Sequence, residues 1–274
     1  MQDWLEENER ICSDLKFKVI DISEKSEITE SLEKQIAFEL LQSFYPIEGL
    51  KRKIKDKSQE DIEKFVNSLF SPKRQGFDSS VRIGDWGEVL SGLYLQQIKE
   101  HEIPLYKIRY KHRNNKSVQM LDLLTFKKDD NSIHFNEIKT RSSALKDMQK
   151  NGKTVPNSKY DVAKNAYEEL ISEYNADIPL IYSFISRMFD NNQNYDLADQ
   201  FDEYIKANNN NKKGNIFLLF EKKYWDNEII DKLNTVEIEI KDLKVIVILI
   251  NNLKSLIETT YQLTIDIAKE LKNE

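Results

Sequence analysis

The chain has a single cysteine, Cys12, so no internal disulfide can staple it. Its three histidines are scattered, which leaves no histidine-rich metal site. No apolar run approaches the ~20 residues that a membrane-spanning helix needs; the longest, Val245 to Ile250, reads VIVILI. The start, MQDWLEENER, is acidic where a secretory signal has basic residues and then an apolar stretch. The expected setting is therefore the reducing cytoplasm, without a membrane partner. Glycine and proline are few, 7 and 5 in 274 residues, and 39% of the chain is hydrophobic. That is the composition of an ordinary folded protein, too apolar for a disordered one. The length suits one large domain, or one domain with a smaller companion.

A formal net charge of -6 argues at first against a nucleic-acid binder. The charge is unevenly spread, however. From Lys107 to Lys159 there are 13 Lys and Arg against 5 Asp and Glu, a local balance of +8. From Asp161 to Asn211 there are 3 against 10, a balance of −7. A further basic cluster, Lys51, Arg52, Lys53, Lys55 and Lys57, falls between two predicted helices. Screening confines charge effects to about 8–10 Å at physiological salt, so local sign matters more than the total.

Residues 1–78 read as a small α-rich unit. Leu15 to Ile22 alternates like a strand, and Ser26 to Phe44 and Ser58 to Leu69 carry helical apolar spacing. Ser58 opens the second helix as a capping residue. The breaker-rich SPKRQGFDSS marks the boundary to residues 79–274. There a helix is expected over Trp86 to Lys99, strands at 106–110, 120–126 and 133–139, a helix over 158–174 and a strand within 178–189. A polar helix at 195–206, strands at 216–220 and 236–249 and a closing helix at 252–271 follow. This α/β order predicts a mixed sheet with helices against it.

Glu137 and Lys139, in IHFNEIKTR, are two apart on a predicted strand and so share a face. Asp122 lies on the preceding strand, across the polar turn KKDDNS. If Phe126 pairs with Ile133, Asp122 stands opposite Glu137. A tighter turn puts it opposite Lys139, and only an even-sum register turns it away. Glu88, in GDWGE, starts the helix before these strands. Two carboxylates suit Mg²⁺, which prefers oxygen ligands and retains several waters. A lysine beside them could hold a water or stabilise charge on a phosphate. Glu-x-Lys alone says little, because the chain also contains Glu221/Lys223, Glu239/Lys241 and Glu270/Lys272. Only the first copy follows an aspartate-bearing strand and a glutamate-bearing helix. Asn151-Gly152-Lys153-Thr154 is not a nucleotide-binding loop, since Asp147 stands where a glycine is needed and Val155-Pro156 follows. His134 alternates onto the face opposite Glu137, which points to a structural role.

Helix glutamate, strand aspartate, then Glu-x-Lys on the next strand resembles the PD-(D/E)xK nuclease superfamily, over roughly Gly84 to Phe189. The resemblance implies a restriction-endonuclease-like αβββαβ core and a Mg²⁺-dependent phosphodiesterase, with Mn²⁺ able to substitute. By position, Glu88, Asp122, Glu137 and Lys139 would be catalytic. Asp122, Glu137 and the Ile138 carbonyl would hold the metal. Met120-Leu121 stand where the superfamily pattern has a Pro or Gly beside the aspartate. Within the superfamily the layout is similar to the HamA family, nuclease subunits of the Hachiman antiphage system. The shared features are an N-terminal unit of this size, the G-E helix and the basic stretch KIRYKHRNNKSVQMLD before the aspartate. That resemblance implies a helicase partner, HamB, that restrains the nuclease, and DNA as substrate. Arg109, Lys111, Arg113, Lys116, Arg141 and Lys146 are the expected phosphate contacts. The competing expectation is a non-cleaving DNA-docking or interaction subunit with a nuclease-like fold.

Overall fold

The computed structural model describes residues 1–73, 80–106, 122–127, 129–175, 186–187, 189–190, 195–206 and 211–273. The two most continuously apolar stretches, IFLLF and VIVILI, lie in neighbouring parallel strands, as residues buried on both faces of a sheet must. The strands are β1 (Leu5–Arg10), β2 (Lys18–Glu24), β3 (Glu102–Tyr106), β4 (Leu123–Lys127) and β5 (Ser132–Arg141). They continue with a small β6/β7 hairpin (Gln149–Lys150, Lys153–Thr154), β8 (Lys212–Glu221) and β9 (Lys244–Ile250). All but the hairpin join one seven-stranded mixed sheet in the order β1-β2-β9-β8-β5-β4-β3. The centre, β2-β9-β8-β5, is parallel, and the pairs β1/β2, β4/β5 and β3/β4 are antiparallel.

Helices cover both faces, because each strand alternates apolar side chains to either side. On one face lie α1 (Glu30–Phe44), α2 (Ile47–Ile54), α3 (Gln59–Leu69), α4 (Ser80–Lys99) and the C-terminal α8 (Leu253–Leu271). They bury Ile36, Leu50, Ile62, Trp86 and Ile257 against Leu123, Ile138, Phe217 and Ile246. On the other face α5 (Val162–Tyr174), α6 (Tyr195–Lys206) and α7 (Glu228–Asn234) bury Ala166, Phe201 and Ile230 against Phe135, Leu218 and Val247. The residues before 79 thus supply β1 and β2 to the sheet and α1 to α3 to the first core. The series α4-β3-β4-β5-α5 is the expected helix, three strands and helix, and β8 is the strand that pairs with β5 on its other side.

Local chemistry explains several ends. The Thr29 hydroxyl accepts the Leu32 amide to start α1, and Ser58 does the same for Asp61 in α3. Asn151 and Gly152 both have positive φ, 52° and 72°, so NGKT is the turn of a β-hairpin, not a phosphate loop. The strand expected within 178–189 falls mostly outside the described residues. The one expected at 236–249 starts only at Lys244. Among the described residues, no helix is long and apolar enough to cross a membrane.

Candidate active site

β4 and β5 set the site. Phe126 pairs with Ile133 and Leu123 with Asn136, so the next step of the register carries Asp122 to Glu137. Asp122 sits at the bend where β4 begins. Its Oδ2 accepts the Ile138 amide at 2.9 Å, in place of a ladder bond from β4. Amide and carbonyl of one strand residue project to the same edge, so the Ile138 carbonyl points toward Asp122's side.

Glu137 is buried, and its charge is disfavoured. Burial and then the facing Asp122 carboxylate raise its pKa, while Lys139 pulls the other way. Lys139 Nζ lies 2.8 Å from Glu137 Oε1 and 2.7 Å from Glu169 Oε2 of α5. Burial opposes the ammonium charge, yet the two carboxylates outweigh it and hold Lys139 above the ordinary lysine value. Two carboxylates pressed together and one firmly charged lysine make a site poised for another cation.

Glu88 is also buried, in the first half of α4. This helix lies against the face of β5 that carries Ile138 and Thr140, opposite Glu137 and Lys139. The approach is so close that a Cβ on Gly87 would stand 1.8 Å from Thr140 Oγ1. Among the described residues, no group of three or more His, Cys, Asp or Glu side chains could hold a metal ion. The structure therefore brings together Asp122, Glu137, Ile138 and Lys139, and places Glu88 behind the same strand.

Beside Lys139 a cleft of about 510 Å³ is lined by Arg141, Lys146, Lys159, Asn165 and Glu169. Arg141 and Lys146 were expected there as phosphate contacts. Arg109, Lys111, Arg113 and Lys116 lie outside the described residues. Sequence reasoning missed Glu169, Asn165 and Lys159. The signal was present: Val162, Asn165 and Glu169 follow helical spacing beside the apolar Ala163, Ala166 and Leu170. The acidic stretch resolves partly into α6. It buries Ala198 and Phe201 and exposes Asp196, Asp199 and Glu203.

A family model, HamA, matches residues 1–263. No curated protein matches the chain significantly.

Proposed function

The chain belongs to the HamA family of the Hachiman antiviral defence system, and from that premise we propose that it is a metal-dependent DNA-cleaving subunit restrained by a helicase partner. The observation that carries the reading is the convergence of Asp122, Glu137 and Lys139 at one end of a basic cleft. The donor set fits Mg²⁺, which needs only one or two carboxylates and completes its shell with water and substrate oxygens. Asp122, Glu137 and the Ile138 carbonyl would hold the ion. Bound there, it would supply Lewis-acid activation of a phosphate and a more acidic water.

The chain's own groups do the rest. The Ile138 amide fixes the Asp122 carboxylate in orientation. Glu137 is raised toward its protonated form by burial and by Asp122, so a cation at this point relieves a strain that is already built in. An ammonium has three donors, and Lys139 commits two of them to Glu137 and Glu169. The third is left for a phosphate oxygen or a water at the cleft. Arg141, Lys146 and Lys159 give the cleft affinity for a phosphate backbone without reading sequence.

The test compares wild type with Glu137→Ala and Lys139→Ala on plasmid and single-stranded DNA, with Mg²⁺, Mn²⁺ or EDTA. Cleavage by the wild type that needs the metal and is lost in both variants supports the reading. Cleavage that survives both substitutions removes the site. One observation favours the alternative of a non-cleaving docking subunit: among the described residues Glu88 does not join a three-carboxylate cluster. In that case the wild type binds DNA but never cuts it, even when freed from its partner.

A further inference from the structure

At the far end of β5 from Lys139, and on the opposite face, lies a second polar centre. Ser132, His134 and Asn136 of β5, Thr125 of β4, Asn215 of β8 and His101 beside β3 are all buried. Their hydrogen bonds fix one another. Asn136 Nδ2 donates to the carbonyls of Leu123 and His134, at 3.1 and 3.0 Å, so its Oδ1 must accept from Asn215 Nδ2 at 2.8 Å. The second proton of Asn215 Nδ2 then goes to His134 Nδ1 at 3.1 Å. His134 therefore carries its proton on Nε2 and donates to Ser132 Oγ, which donates to Asp130. Thr125 Oγ1 and His101 Nδ1 share a further hydrogen bond of 2.8 Å.

Three members of this network, His101, His134 and Asn215, line a cavity of about 270 Å³. Four lysines surround it: Lys99 from the end of α4, Lys127 ending β4, Lys213 second in β8 and Lys244 opening β9. Strand alternation puts Lys213 on the face of Phe217, and Lys244 on that of Ile246, where the core would otherwise continue. Asp130 is the one carboxylate in the lining, and it is paired with Lys213. Lys99 is paired with Glu7. No ion pair joins Lys127 or Lys244 to a carboxylate among the described residues. Lys244 shows the consequence: burial, then Lys213, Lys18, Lys99 and Lys127, push its pKa down. Solvated lysines at a strand end would not need six buried polar side chains beneath them. A clustered positive field of this kind calls for an anion of more than one charge.

We propose that this cavity binds a phosphomonoester dianion, with room inside for no more than the one nucleotide that carries it. The Lys127, Lys213 and Lys244 ammoniums meet the phosphate, and the His101 imidazole lines the cavity beside them. At neutral pH that imidazole adds no charge, because burial and the nearby lysines lower its pKa to about 4. The volume lies just below the usual range of drug-sized ligand sites, which starts at about 300 Å³, and excludes a duplex. The assignment is independent of the nuclease reading and of Lys139.

The test is calorimetric titration of the full chain with inorganic phosphate, deoxyadenosine monophosphate and deoxyadenosine. It is repeated with one oligonucleotide carrying either a 5′-phosphate or a 5′-hydroxyl. The nucleotide is expected to bind saturably and deoxyadenosine not to bind. Lys244→Gln and Lys127→Gln should each weaken the nucleotide by about tenfold or more, the worth of one charge-assisted hydrogen bond. Lys139→Gln should leave it unchanged. If the phosphomonoester is that of a DNA end, the 5′-phosphorylated oligonucleotide alone shows the same Lys244 dependence. Absence of saturable binding by every phosphate probe overturns the proposal. So does binding that both lysine variants, verified as folded by thermal unfolding, leave intact.

Discussion

Gly87 and Thr140 lie so close that any side chain on the glycine would overlap the threonine hydroxyl, 1.8 Å from a Cβ. Glu88 follows Gly87, and Lys139 precedes Thr140. One contact therefore sets how near the helix carboxylate and the strand lysine can come, although they belong to opposite faces of the sheet.

Gly87→Ala is expected to destabilise the protein by about 1–3 kcal/mol, the usual cost of overpacking. Thr140 Oγ1 is buried with no hydrogen-bond partner among the described residues, so Thr140→Ala alone should cost little. In the double variant the space is restored. Denaturant unfolding should show most of the loss recovered; additive losses would mean that the contact is not the reason for the glycine.

Asp122→Asn keeps an oxygen for the Ile138 amide while removing one of two confronted carboxylates. The metal-free protein should gain about 1 kcal/mol, somewhat less than the worth of one pKa unit, seen as a higher thermal midpoint. Mg²⁺ should then raise the midpoint less than it does in wild type. An unchanged midpoint without metal would remove the claim that the pair is strained.

The two buried histidines should make the fold acid-labile. Burial first, then surrounding lysines, lowers His101 to about 4. His134 falls to about 2 through burial and its neighbour His101. Unfolded, both titrate near 6.5. Between these values the unfolded chain binds more protons, so stability is fully present above about pH 6.5 and falls as pH drops toward 4 and below. Each group contributes a slope of up to about 1.4 kcal/mol per pH unit. Urea midpoints across that window should show it, and His101→Gln should flatten it; an identical slope would refute the assignment.

The outer face of α6 should weigh against DNA. Asp196, Asp199 and Glu203 are exposed and Asp202 is half-buried, so converting them to Asn and Gln should leave folding within about 0.5 kcal/mol. DNA affinity should rise by a few-fold at low salt, or complex formation with a basic partner should weaken. If neither quantity moves, the acidic face has no part in access or docking.

What was readable in the sequence was local. The β4/β5 pairing follows from a short polar turn and the alternation on either side, but which of the open registers it takes, and so that Asp122 meets Glu137, is seen only in the fold. β1 was not readable, because LEENER shows no apolar alternation; it is a strand because β2 offers a ladder from Leu5↔Glu24 to Arg10↔Val19. α2 looked like a basic connection, yet Leu50 and Ile54, one turn apart, bury its inner side. Residues 236–243 resembled a strand since Ile240 is apolar, but Ile240 and Leu243 fill the second core from a non-strand segment. The histidine network draws on β4, β5, β8 and the approach to β3. No spacing within one segment announces it.

The place of β2 has a kinetic meaning. On the side away from β1, residues 18–23 find their neighbours only at 244–249, nearly the whole chain later, whereas β4 and β5 are joined by a short turn. Contacts that close long loops form slowly, because chain entropy is lost before the pairing repays it. During synthesis the paired carboxylates can be in place while β2 still shows an open edge. That edge waits for the last strand, and until β9 arrives it is the part of the nascent chain most exposed to wrong pairing.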